Sequence, residues 1–534
     1  MTASHWPSIV FVSALVTIVG PSYGQVPSTN DTSDSAGNTG MGSATLASLT
    51  SGGAGNTASG AQALNQNTTG SDNTATGVRA LFANTTGFQN TASGYGALYS
   101  NTTGFQNTAS GYGALYLNTG DLNTASGYGA LYSNTIGSEN TASGYDALYS
   151  NTTGELNTAC GGEALSSNTT GSRNTASGTN ALASNTTGSD NTASGLDALF
   201  ANTTGTFNTA AGRNALYSNT DGTENTASGY GALYFNTTGN RNNASGMGAL
   251  YKNTTASDNN AMGANALHDN TTGTLNNAMG NYALEYNTTG VNNNAMGYAA
   301  LLRNTTGGSN SAQGFYALAY NTTGSGNIAI GYQAGIKSIT GNSNIFIGHP
   351  GVAGDSGTIR IGNSAAHAAF YVAGVAGVNV TGGAGVVIDS TGHLGVVSSS
   401  VRYKEDVRSL GDVSERILKL RPVSFRYKQA TADGTKPLQY GLVAEEVAQT
   451  MPELVVYGAD SQPQTVAYHV LPTLLLNELQ KEHAIILRQQ AELKSQRARL
   501  DAMETQLAEL RGLASQVTRL NAHGRDTEAV AAVQ

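Results

Sequence analysis

The sequence predicts a mainly β protein: an elongated β-solenoid or β-roll of short repeats, then a smaller α+β domain and a helical coiled-coil tail. Three observations carry this expectation. A 17-residue phrase, N-T-A-S-G-x-x-A-L-x-x-N-T-T-G-x-x, begins sixteen times between Asn56 and Asn310, with one 16-residue unit starting at Asn107. In every unit the fifth residue is glycine, the eighth alanine and the ninth leucine, from Leu64 and Leu81 through to Leu318. Charge is unevenly spread. Residues 1–398 hold 8 Lys+Arg against 17 Asp+Glu, and residues 399–534 hold 17 against 17, so the net charge of −9 belongs to the front segment.

Richness in Gly, Asn, Ser and Thr alone reads as disorder. A disordered tract, however, has no reason to keep leucine at one phase sixteen times. A strict period makes each unit one turn of a solenoid whose apolar positions stack on their neighbours. Seventeen residues are too few for two packed helices, and glycine and asparagine disfavour helix. Two short strands per turn, joined by Gly and Asn turns, fit better, because both residues tolerate positive φ. One turn offers only two alanines and a leucine. Three chains around an axis would cover them, so a homotrimer is expected. The frame continues as Asn327-Ile328-Ala329-Ile330-Gly331 and Asn344-Ile345-Phe346-Ile347-Gly348, placing the solenoid at 56–348 and a β-rich stalk at 349–398.

Other features bound the function. A mildly acidic, arginine-poor array argues against a nucleic-acid partner. The Asn-Thr-Thr triplets match the glycosylation sequon, but their fixed phase favours a turn role. Asp72, Asp121, Asp146 and Asp190 are scattered, unlike the aspartates of calcium-binding rolls, so no metal or cofactor is expected. Tyr99, Tyr116, Tyr132 and Tyr149 form either a packing ladder or an exposed stripe for a carbohydrate or protein ligand, the ladder being favoured. Cys160, the single cysteine, replaces a repeat serine and excludes an intrachain disulfide. Ile9 to Val19 reads as the core of a secretory signal over 1–24, cut before Gln25, with a low-complexity linker over 25–55. The expected location is extracellular or on a cell surface, and no further stretch has transmembrane length. Near the other end, Ile486, Leu493, Leu500 and Leu507 fall seven apart, with Met503, Leu510 and Val517 offset by three. That is a heptad seam over 478–520, with a disordered tail at 521–534.

Between array and helix, Ser399-Ser400-Val401-Arg402-Tyr403-Lys404 carries the candidate chemistry. A serine five residues before a lysine is a nucleophile with its general base if the lysine is desolvated; alone, the spacing equally describes a solvated loop. The surroundings are more specific. They include Ile417 to Lys428 with its Leu420-Arg421-Pro422-Val423-Ser424-Phe425 centre, Tyr440-Gly441-Leu442-Val443-Ala444-Glu445-Glu446-Val447, Pro452-Glu453-Leu454-Val455 and Val466-Ala467-Tyr468. In this order, over about 399–485, they resemble the intramolecular chaperone auto-processing domain, the S74 peptidases, found at the C-terminus of phage tail spikes, endosialidases and some bacterial surface proteins. The N-T-A-S-G phrase is more loosely similar to the head repeats of trimeric autotransporter adhesins. The resemblance implies a domain over 399–477 that trimerises, helps the upstream fibre to fold, and cuts itself off. Ser399 would attack the carbonyl of Ser398, so the cleavage site is Ser398-Ser399, with Lys404 taking the proton. Many relatives have aspartate after the serine, where this chain has Ser400. His393 and His469 are alternative bases outside the motif. Two other functions stay open: a fibre whose chaperone domain stays attached and only trimerises it, and an array with catalysis of its own. The repeats offer the latter no fixed carboxylate pair or histidine cluster.

Overall fold

The computed structural model describes residues 32–375, 381–389, 391–431, 434–458 and 460–530. The expected signal segment, 1–24, lies outside them. Two compact units, 1–371 and 372–534, are taken in turn.

In the first unit, twenty three-residue strands from Thr39–Met41 to Ile359–Ile361 pair in parallel, each residue beside its counterpart one turn on. The stack therefore opens one turn before Asn56 and closes one strand after Gly348. In a typical rung, Thr141-Ala142-Ser143, the alanine is buried and its neighbours point out. Sixteen leucines and the two alanine columns are 0–1% exposed within a single chain. This corrects the reasoning that led to a trimer: one chain closes its own core and needs no partner to cover it.

The expectation of two strands per turn is also corrected. Each turn has one strand, and the leucine segment is a turn that stacks on the next. Each of the sixteen ninth-position leucines, from Leu64 to Leu318, sits at φ between +48° and +54°. Left-handed backbone costs a bulky residue roughly 1–2 kcal/mol, but burying leucine returns roughly 1.5–3 kcal/mol. Its amide is also paired, as Leu148 N donates to Ala164 O at 2.9 Å. Burial wins, and the segment cannot become a strand. The fifth-position glycine closes the strand under a stricter demand. Gly144 has φ +142°, and a Cβ there would lie 2.4 Å from the carbonyl oxygen of Gly161.

The polar residues form a second core. Asn140 Nδ2 donates to Asn123 Oδ1 at 3.2 Å and to Gly154 O at 2.8 Å, while its Oδ1 accepts from Asn157 N and Nδ2. Asn151, first of an Asn-Thr-Thr triplet, donates to Asn134 Oδ1 at 2.7 Å and to Gly154 O at 3.0 Å. Both columns are 0–1% exposed. Two amide ladders thus run inside the stack, and neutral asparagine suits them because it is both donor and acceptor without a charge to desolvate. The 16-residue unit loses its residue in the loop: Asn118 still donates to Gly120 O at 2.7 Å, and Asn134 rejoins Asn118 Oδ1 at 2.6 Å.

Aromatic rings stack along the same axis. Phe82, Tyr99, Tyr116, Tyr132 and Tyr149 follow one another at 4.8–5.1 Å, nearly parallel. This is a packing ladder at the spacing of parallel strands. At the far end Phe346 fills the core in place of an alanine, and Arg360 grips Asp355 through two hydrogen bonds of 2.7 and 2.8 Å.

The second unit is sparser. A hairpin pairs Val387–Ile388 with Leu394–Gly395; two more join Val423–Phe425 to Gln439–Gly441 and Val455–Tyr457 to Pro463–Val466. With the helix Ala444–Thr450 and the start of the long helix Leu471–Val530 they enclose a small core of Ile417, Val447, Met451, Leu454, Val455, Val466 and Leu474. The long helix begins before 478 and continues to Val530, past the expected end of the heptad seam.

Candidate active site

Ser399 and Lys404 flank one tight turn. Val401–Tyr403 is a single 3-10 turn, and Ser400 is its N-cap: in extended backbone, its Oγ accepts from Arg402 N at 3.4 Å and from Arg402 Nε at 3.2 Å. Lys404 closes the turn, donating its amide to Val401 O at 3.2 Å. Serine and aspartate are both favoured N-caps. Ser400 therefore fills, by local geometry, a place where aspartate would serve equally as a cap.

The turn brings the two residues near in sequence but does not join them. Ser398, Ser399 and Lys404 are exposed, and no hydrogen bond among the described residues links Ser399 to Lys404. His393 lies beside Asp389, 3.8 Å away, and is 81% exposed; His469 is exposed as well. Neither is bonded to Ser399. Arg402, which the motif reading passed over, anchors the turn through Ser400 and lies 5.7 Å from the Tyr403 ring. The signal was in the sequence, since an arginine two residues after an N-cap serine can reach back to it.

The quoted motifs hold the domain behind this turn. Tyr468 Oη accepts from Leu442 N at 2.8 Å, and a Cβ on Gly441 would stand 2.7 Å from that phenol oxygen. Glycine lets the phenol approach closely where the Tyr440-Gly441-Leu442 and Val466-Ala467-Tyr468 phrases meet, and a side chain there would have to displace Tyr468. Arg421 forks onto Glu446 at 2.5 and 3.1 Å and holds that carboxyl below its usual range. Buried Ser414 donates to Glu478 and accepts from Asn477 Nδ2 at 2.6 Å. Lys481 faces Asp412, Glu415 and Glu478 at 3.1–3.2 Å. Burial works against its charge, but hydrogen bonds to the carboxylates outweigh that and raise its pKa.

A groove of about 570 Å³ opens between Ile417, Leu420, Val423, Leu442, Leu471 and Leu475. It is apolar, and neither Ser399 nor Lys404 lines it. Among the described residues no group of three His, Cys, Asp or Glu side chains is arranged to hold a metal ion, and no helix is long and apolar enough to cross a membrane.

Residues 399–456 match the family described as chaperone of endosialidase, the S74 peptidases. The match begins at Ser399 and ends in the strand Val455–Tyr457. A chaperone-of-endosialidase segment therefore follows a β-solenoid in this chain. No curated protein matches the chain.

Proposed function

We propose that the chain is an exported, fibre-forming protein whose C-terminal domain gathers three copies, assists the array to fold, and then releases itself by one cut between Ser398 and Ser399. What carries this reading is the coincidence of two boundaries: the family match starts at Ser399, the residue that would become the new amino terminus. In the reaction, Ser399 Oγ attacks the Ser398 carbonyl carbon and gives its proton to Lys404. The peptide nitrogen leaves as the amine of Ser399, and water hydrolyses the resulting ester to a Ser398 carboxylate and a free Ser399 hydroxyl.

Assembly enters the chemistry through exposure. A lysine acts as a base near neutral pH when it is desolvated, and Lys404 is exposed in one chain. On this reading another copy must cover it, so the cut waits for the oligomer. The uncovered apolar residues support an oligomer: Leu479, Ile486, Leu493, Leu500 and Leu507 of the long helix are 45–67% exposed. The ladder of tyrosines leaves one edge to solvent, and any carbohydrate or protein ligand of the array would meet that edge.

Denaturing electrophoresis with N-terminal sequencing tests the cut. The full chain should give a 136-residue fragment beginning Ser399-Ser400-Val401. Ser399→Ala, Lys404→Ala and Lys404→Arg should each abolish it, and Ser400→Ala should leave it in place. A fragment beginning elsewhere, or cleavage surviving Ser399→Ala, refutes the assignment. An intact chain that nevertheless sediments as a trimer would favour the alternative in which the domain only trimerises the fibre.

A further inference from the structure

The outward side of the strand column changes character along the stack. From Thr57–Ser59 to Thr226–Ser228 the exposed strand positions are almost all threonine and serine, the exceptions being Cys160 and Ala211. From there methionine takes the third position, at Met262, Met279 and Met296. The last three rungs present only isoleucine, with Ile328 and Ile330, Ile345 and Ile347, Ile359 and Ile361. Ile328, Ile330 and Ile347 are 39–43% exposed, Ile359 64% and Ile361 50%. An apolar column of this kind on the surface, broken only at the Ser311–Gln313 rung, marks an interaction site.

We propose that this Met/Ile column, from Met262 to Ile361, is where copies of the chain join side by side, parallel and in register. The inference rests on the oligomer proposed above and adds the face that makes it. Three observations favour a second copy as the occupant. No outward strand position from Asn260 to Ile361 carries a charge, so the face opposes nothing to its own image. Copies related by a rotation axis along the stack place each rung beside the same rung of the neighbour, and rungs repeat every ~4.8 Å. Methionines therefore meet methionines and isoleucines meet isoleucines on either side of the Ser311–Gln313 rung. Lastly, the flanking polar positions are already paired along the chain: Asn243 donates to Asn260 Oδ1 at 3.1 Å, Asn260 to Asn277 at 2.8 Å and Asn277 to Asn294 at 2.9 Å. An amide that has a partner in its own chain is less costly to bury. The hydroxyl-bearing part of the same column is equally uncharged but has no apolar side chains to bury, and is left unjoined.

Cross-linking the full-length chain at one position on each part of the column tests this. With Cys160→Ser as background, Ile330→Cys and Ser110→Cys place a thiol on the same column in the apolar and hydroxyl-bearing parts. Each is treated with a short bis-maleimide and run on a denaturing gel, with sedimentation of the untreated protein alongside. Ile330→Cys should convert to covalent dimers, and Ser110→Cys should stay monomeric on the gel. Ile330→Glu, which changes only an outward side chain, should keep the strand signal in circular dichroism but lose association of the array. Equal linking at both positions, or none at Ile330→Cys in a protein that sediments as an oligomer, overturns the face. A monomer in sedimentation overturns the oligomer on which it rests.

Discussion

The array and the C-terminal unit spend their apolar residues in opposite ways. In the array, sixteen leucines and two alanine columns are fully covered, although each turn is only seventeen residues long. In the C-terminal unit a core of seven buried side chains sits beside a long helix whose leucines are mostly in solvent. A solenoid turn covers its neighbour, so burial accumulates by repetition within one chain. A single helix has no neighbour of its own to lean on, and we propose that other chains cover its heptad seam. Self-sufficiency here follows from topology rather than from the amount of apolar residue.

Substitutions of matched type in the two regions sharpen that contrast. The largest effect is expected at Gly144→Ala, where a positive φ and the Gly161 carbonyl oppose the new methyl group together; the loss should be about 4 kcal/mol, read as local loss of hydrogen-exchange protection around residues 127–161. Unchanged protection there would mean that neighbouring turns can part without cost. Leu148→Ala should cost about 3 kcal/mol through the cavity it leaves. Leu493→Ala, at a side chain 57% exposed, should leave the melting of an isolated chain nearly unchanged and instead weaken self-association by dilution. If both leucines behaved alike, the contrast would fail.

Asn140→Ala should destabilise by about 2 kcal/mol, since it leaves the buried backbone N–H of Asn157 without its acceptor and breaks the amide ladder, although Gly154 O keeps Asn151 Nδ2. Acid should act at the end of the stack. The Arg360 guanidinium holds Asp355 below the usual carboxylate range. Its folded value is thus lower than its unfolded one, so its stabilisation is present above about pH 4 and lost as pH falls through the folded value. Protection factors near Gly348 to Gly362 should fall as the pH is taken below about 4, and Asp355→Asn should remove that dependence. The smallest effect has the opposite sign. Gly512→Ala, in a helix with nothing near the added methyl, should gain about 1 kcal/mol of helix stability, measured by circular dichroism.

The sequence alone determined the period, the leucine phase, the position of the turn glycines and the order of the S74 phrases, because each is a local preference repeated or a fixed spacing. It did not disclose that leucine would sit in left-handed backbone, that the asparagines would be core rather than turn surface, or that one chain would close its own interior. A propensity scale describes a residue against its sequence neighbours, whereas Asn140, Leu148 and Gly144 are held by residues sixteen or seventeen positions away. The same distinction governs the candidate site. Ser399, Lys404 and the capping serine between them were legible as a motif, and the turn that separates them is local. What the tertiary structure decided is that both side chains of the pair face solvent in one chain, because none of the described residues covers them.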